Sequence, residues 1–348
     1  MARLPNLKRV AGITALAATA GAIATAFAVR KALQPGRDFE GKTVVVTGGS
    51  RGLGLALCRE FGNRGARMAT CARRPEELAD AQRLLEAKGI DCYTEVCDVT
   101  RQDDVRRFLQ NVRDRFGSID VLVNNAGIIG VGPVQNQTVA DFEEAMAINF
   151  WGAVYGTLEV LSEMTQRGHG NIVNISSIGG KVAVPHLLPY SASKFALAGF
   201  SEGLRAELHR TGVRVTTVCP GLMRTGSQVQ ALCKGQHEKE YAWFMLSSAT
   251  PLSSIKAERA ARQIVNATKK GQAELIITWQ AELLARTHGL APELVSQVLA
   301  FVNTMLPDPA PDGHLVKKAG HESETMWTRN PVSLPIRAAA NRLNEKHA

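Results

Sequence analysis

Tyr190 and Lys194 stand four residues apart in LPYSASKFALAGF (188–200), separated only by Ser191, Ala192 and Ser193. On a helix this spacing stacks phenol and amine on one face, about 5–6 Å apart at Cβ. A phenol titrates near 10 in water, and a neighbouring ammonium lowers that value. Such a pair can return a proton to a developing alkoxide at neutral pH. The small residues between them let the helix lie close against another layer.

A second candidate precedes it. TGGSRGLG (47–54) follows the apolar run TVVVT (43–47) and leads into the helical LALCREFGNRG. A strand, a glycine-rich turn and a helix let a backbone approach a pyrophosphate, with N–H groups and a positive dipole end at the helix start. The glycines are spaced Gly-x-x-x-Gly-x-Gly: Gly48, Gly52 and Gly54, with Ser50, Arg51 and Leu53 between them. The acid that would take an adenosine 2′-hydroxyl about 20 residues on is missing, because the second apolar run ends Cys71-Ala72-Arg73-Arg74 with Ala72 in its place. Arg51 and Arg73 without an acid suit a 2′-phosphate, hence NADP(H). The competing reading makes Arg73 and Arg74 a solvated strand end.

These groups need a frame. Seven apolar, β-rich runs alternate with helical stretches: 43–47, 67–71, 91–96, 120–124, 171–176, 213–218 and 274–278. Near-continuous apolar strands with helical crossovers imply a parallel sheet covered on both faces. Beyond Gly221 the pattern loosens through 228–251, which holds the apolar cluster Trp243-Phe244-Met245-Leu246. Leu294, Val295, Val298, Leu299, Val302, Met305 and Leu306 form one helical stripe, and the Pro-, Gly- and charge-rich stretch beyond Pro307 is expected to be poorly ordered.

From Lys42 to Thr278 the chain resembles the short-chain dehydrogenase/reductases. The resemblance rests on TGGSRGLG, Asp98-Val99, NNAG (124–127), Asn149, Ser176-Ser177, YSASK (190–194) and PGLMRT (220–225), all in the family's order. It implies an α/β fold, a Rossmann-like doubly wound parallel sheet of about seven strands with helices on both faces. An N-terminal hydrophobic helix and a C-terminal helical extension flank it. The expected divisions are 1–37, 38–280 and 281–348.

The resemblance also assigns roles. Tyr190 is the proton donor and Ser177, rather than Ser176, binds the substrate oxygen. Lys194 acidifies Tyr190 and holds the nicotinamide ribose, and Asn149 supports a water in the proton relay. Asp98 and Val99 lie beside the adenine, while Asn125, Ala126 and Gly127 pass under the ribose. Pro220, Gly221 and Thr225 meet the carboxamide. For Asn149 and Asp98 plainer readings stand beside these: a helix-interior side chain bonded to backbone, and a turn residue. His186 shows no partner and reads as a loop residue.

Composition narrows the class. The 348 residues carry a net charge of +9, but six basic residues and no acid lie within 1–37, so the body is nearly balanced and offers no nucleic-acid footprint. The six cysteines lack metal-ligand clustering and read as buried, reduced thiols. Residues 10–29 carry no charge and are flanked by Lys8-Arg9 and Arg30-Lys31, which suits a membrane anchor, a cleaved leader or a helix packed on the domain. The reading is an NADP(H)-dependent oxidoreductase for a small, lipophilic carbonyl or alcohol. Its catalytic domain is expected to be cytoplasmic and, by family resemblance, homo-oligomeric. The alternatives are a non-catalytic NADP-sensing scaffold and an NAD-dependent alcohol dehydrogenase of the same family.

Overall fold

The computed structural model describes residues 38–249, 254–311, 316–325, 328 and 333–345. From Phe39 onward the chain forms one compact unit; the segment 10–29 and its anchor or leader readings lie outside the described residues. Among the described residues no helix is long and apolar enough to cross a membrane.

The seven apolar runs become the seven strands of one sheet: β1 (Thr43–Thr47), β2 (Arg67–Ala72), β3 (Cys92–Val96), β4 (Val121–Asn124), β5 (Gly170–Ile175), β6 (Val213–Pro220) and β7 (Glu274–Ile277). Their order is β7-β6-β5-β4-β1-β2-β3 and every pairing is parallel. The order reverses between β1 and β4, opening a crevice beyond their carboxyl ends. TGGSRGLG and NNAG both leave the sheet there.

The two faces are packed separately. On one, Val44 and Val46 of β1 meet Leu55, Leu57 and Phe61 of α1 (Gly52–Gly62) and Ile264 of a later helix. On the other, Val45 meets Phe108, Leu109 and Val112 of α3 (Gln102–Phe116), α2 being Pro75–Glu86. Alternation along a strand with a period of two places the same strand in both cores. All six cysteines are buried and unbonded, as expected, and burial pushes the thiols of Cys58, Cys219 and Cys233 up to about 12, where they are inert.

After β4 come α4 (Val139–Met146), a π-helical turn at Ala147–Trp151 and α5 (Gly152–Arg167). Helix α6 (Leu188–Glu207) follows β5, and α7 (His237–Ala249), α8 (Ala257–Lys270), α9 (Trp279–Leu290), α10 (Pro292–Asn303) and α11 (Leu334–Arg342) complete the chain.

Three expectations change. The region beyond Pro307 is not uniformly loose: Ile336 of α11 is buried with Tyr241, Phe244 and Met245 of α7, and Leu343 lies fully within the core. Leu334–Arg342 spans only nine residues, LPIRAAANR, with too few large apolar side chains to show a helical stripe. The loosened stretch likewise holds a helix, with Phe244 and Met245 of its apolar cluster buried as internal packing. The stripe on α10 is divided, with Val295 buried and Leu294 and Val298 more than half exposed.

Candidate active site

The turn after β1 is held by the turn after β4. Gly48 has φ +68° and its N–H donates to Cys71 O at 2.8 Å. The Asn125 amide donates to Thr47 O at 3.0 Å and to Gly48 O at 3.1 Å, while the Asn125 and Ala126 N–H groups bind Thr47 Oγ1 at 3.0 and 3.1 Å. A Cβ on Gly48 would stand 2.9 Å from Ala126 Cα, and one on Gly54 only 2.2 Å from Gly48 O and 2.6 Å from Asn125 Nδ2. Gly52 (φ +56°) and buried Leu53 open α1, so that helix start faces the crevice.

The tightness at Gly54 can be tested. Gly54→Ala puts a methyl into backbone, and overpacking costs about 1–3 kcal/mol. At about 2.1 cal/mol/K of unfolding entropy per residue, a chain of this size should lose about 1–2 °C of Tm per kcal/mol, read by circular dichroism. An unchanged Tm would reject the close-packing account of this glycine.

At the rim, an acid appears that the sequence pattern did not show. Glu77, in the first turn of α2, accepts from Ser50 Oγ at 3.2 Å, from Arg51 Nη1 at 3.1 Å and from Arg74 Nη1 at 3.0 Å. The expectation of arginines without an acid is thus corrected: the carboxylate comes from the helix after Pro75, not from the strand end at Ala72. Arg73 is exposed beside this cluster. Asp98 spends its carboxylate on Thr100, at 3.0 Å to N–H and 2.9 Å to Oγ1, as a turn residue would. Buried Val99 packs at Gly152, where a Cβ would lie 3.0 Å from its side chain.

Further along the crevice the catalytic candidates converge. Ser177 begins the turn after β5 and accepts from Gly179 N–H at 3.0 Å. A Cβ on Gly179 would lie 3.3 Å from Tyr190 Cε1 and 3.5 Å from Ser177 Oγ, so this glycine, which the sequence reading missed, lets the two hydroxyl-bearing residues meet. Ser176 is occupied elsewhere, donating to Lys194 O at 2.8 Å. Asn149 sits in the π-helical turn, a distortion frequent at functional sites. Its Oδ1 accepts from Ile128 N–H at 2.9 Å, and its Nδ2 donates to Ile128 O at 3.1 Å and Ser193 Oγ at 2.9 Å. Ser193 donates to Tyr190 O at 2.7 Å. A Cβ on Gly127 would stand 2.9 Å from Asn149 Oδ1 and 3.4 Å from Lys194 Nζ.

The electrostatics depart from expectation. Burial pushes the Tyr190 phenol up to about 12, opposed by its hydrogen bond to the Ser177 side chain. Burial likewise brings the Lys194 amine down to about 8. The ammonium lies 5.9 Å from the Tyr190 ring centroid and donates to Ile175 O at 2.9 Å, and burial outweighs its pull on the phenol.

Pro220 ends β6, and Gly221 N–H donates to Ile277 O at 2.9 Å. Buried Thr225 shares its hydroxyl with Ser227 at 2.7 Å. His186 is not a bare loop residue: its Nδ1 meets Glu240 Oε1 at 2.9 Å, and Trp243 Nε1 donates to Glu240 Oε2 at 2.7 Å. Sequence could not foresee a partner 54 positions away.

A doubly wound parallel sheet with a glycine-rich turn at its switch point is an architecture of dinucleotide-binding oxidoreductases. The chain belongs to the short chain dehydrogenase family, whose family model matches residues 42–233. It is 36% identical over 258 residues to a protein named as the oxidoreductase SadH of Mycobacterium tuberculosis, covering 72% of this chain and 92% of that one. A Streptomyces coelicolor protein named as a ketoacyl reductase is 38% identical over 188 residues, covering 53% of this chain and 72% of that one. Among solved structures, the actinorhodin polyketide ketoreductase with NADPH superposes with a TM-score of 0.61 at 31% identity, covering 69% of this chain and 96% of that one. The chain is an oxidoreductase of this family.

Proposed function

We propose that the protein is an NADPH-dependent reductase of an apolar ketone or aldehyde. The observation that carries this reading is the convergence of Ser177, Tyr190, Lys194 and Asn149 at one end of the crevice whose other end is the glycine turn. The cradle suits a dinucleotide: a Cβ would collide at Gly48 and Gly54, and the start of α1 offers N–H groups and a positive dipole end. The adenosine end would lie near Ser50, Arg51, Arg73, Asp98 and Val99, the ribose and pyrophosphate along Leu53 and residues 125–127, and the carboxamide by Pro220, Gly221 and Thr225.

When bound, the nicotinamide supplies the hydride. Ser177 would hold the substrate oxygen by its hydroxyl. Tyr190, whose phenol burial keeps fully protonated at neutral pH, would give that oxygen its proton. Lys194 would bind the ribose hydroxyls and stabilise the phenolate left behind. Asn149, by fixing Ile128 and Ser193, would hold the Tyr190 backbone and support a water in the relay. Tyr190 packs against the apolar cluster that holds Leu187, Tyr241 and Phe244, which favours an apolar substrate.

Glu77 favours a second reading, an NAD-dependent enzyme, because it already pairs with Arg51, one of the two arginines that a 2′-phosphate would use. Titrating both cofactors by fluorescence decides between them. Each charge-assisted bond to a 2′-phosphate contributes about 1.5–3 kcal/mol, and about 1.4 kcal/mol is tenfold in affinity. Tighter NADPH binding is expected, with Arg73→Glu swinging preference toward NADH by about tenfold or more; equal or better NADH affinity in the wild type rejects the first reading. Following NADPH absorbance against a carbonyl panel then identifies the substrate.

A further inference from the structure

The glycine turn is already covered by the chain itself. Gly52 N–H, the first of α1, donates to Leu343 O at 2.8 Å. The Asn344 amide donates to Ser50 O at 3.0 Å and Glu77 O at 3.1 Å, with Asn344 itself in the left-handed region at φ +59°. Glu345, only 3% exposed, follows directly. A Cβ on Gly52 would meet its Oε1 at 2.7 Å, with Thr225 Cβ 4.0 Å away from the same point. A carboxylate therefore sits against the helix start, close to Thr225, where negative charge is favoured and a pyrophosphate would lie.

We infer that residues 343–345 form an autoinhibitory strap, in which the Glu345 side chain stands in for the cofactor's phosphates and must leave before a dinucleotide can bind. The inference rests on the cofactor reading above. Anchorage and fit differ along the strap, which is what a displaceable segment requires. The Leu343 side chain is fully buried in the core and α11 packs on α7, so the segment is tethered. Glu345, by contrast, is poorly satisfied. Its Oε2 is buried without a hydrogen bond, and Arg51 Nε lies 3.5 Å away, a cation shared with Glu77. Burial pushes this carboxyl up to about 7, Arg51 pulling it back and Glu77 adding to the rise. A ligand of permanent charge, with phosphate oxygens for these N–H groups, makes better use of the same place. Because the strap covers Gly52, Ser50 and Arg51 together, small shifts cannot admit both occupants.

The test compares wild type and Glu345→Gln, using NADPH and NADH as probes. Binding is titrated by nicotinamide fluorescence, and hydrogen exchange is followed by mass spectrometry in the peptide spanning 334–345. The strap predicts at least about fivefold tighter binding in Glu345→Gln and, in the wild type, faster exchange at 343–345 when cofactor is present. Unchanged or weaker affinity in the variant, or protection of 343–345 by cofactor, would overturn it and make the segment part of the holding site instead. If neither dinucleotide binds either protein, the cofactor reading itself fails and the strap loses its target. The exchange measurement needs no substitution and stands even if the variant folds poorly.

Discussion

Tyr190→Phe is expected to abolish carbonyl reduction while leaving cofactor affinity nearly intact. The substitution removes one oxygen and keeps the ring that packs against the apolar cluster of Leu187, Tyr241 and Phe244, so the fold has no reason to change. Loss of a single positioned acid costs about 10²–10⁴-fold in rate. Stopped-flow or steady-state loss of NADPH absorbance on a confirmed carbonyl measures the first quantity, and fluorescence titration the second. Near-normal turnover in this variant would remove Tyr190 from the mechanism. Loss of turnover together with loss of cofactor affinity would instead assign it a binding role.

Removing the amine of Lys194 should damage both steps at once. Its Nζ lies 3.4 Å from where a Gly127 Cβ would be and is held by Ile175 O at 2.9 Å, at the junction of the two loops that would carry the ribose. Lys194→Ala is therefore expected to weaken cofactor binding and to lower turnover by roughly the same 10²–10⁴-fold that positioned proton-transfer groups contribute. The pH profile gives a sharper reading. Burial brings the amine from its ordinary value near 10.5 down to about 8, so the charged form is present below that pH and lost as pH rises through it. A mechanism that uses the ammonium thus predicts a rate of reduction that is flat near pH 7 and falls about tenfold per unit above roughly pH 8. A rate that stays level to pH 9.5 would show that the charge is dispensable. Cofactor affinity should follow the same limb, because the same ammonium serves the ribose.

Much of this protein was legible in one dimension. Seven apolar runs of about five residues, each closed by a turn, specify a parallel sheet because strands buried on both faces have no polar side to alternate with. The glycine turn and the Tyr190–Lys194 pair were equally visible. Their chemistry depends on short spacings, four residues on a helix or a few in a turn, and local geometry follows from those spacings alone.

Tertiary structure decided what depends on contacts between distant parts of the chain. Glu77 approaches Arg51 across 26 positions, Glu240 reaches His186 across 54, and Asn344 bonds Ser50 across 294. No periodicity records such meetings, because the chain pays only slowly growing closure entropy for long loops and can bring any two segments together once the sheet exists. Burial is decided in the same way. The Tyr190–Lys194 spacing suggested an acidified phenol, yet the low-dielectric surroundings raise the phenol and lower the amine, since desolvation penalises each charged form and is set by every neighbour at once. Sequence by itself determined the sheet, the glycine turn and the Tyr190–Lys194 pairing; only the folded chain determined how deeply that pair is buried and that residues 343–345 lie over the turn.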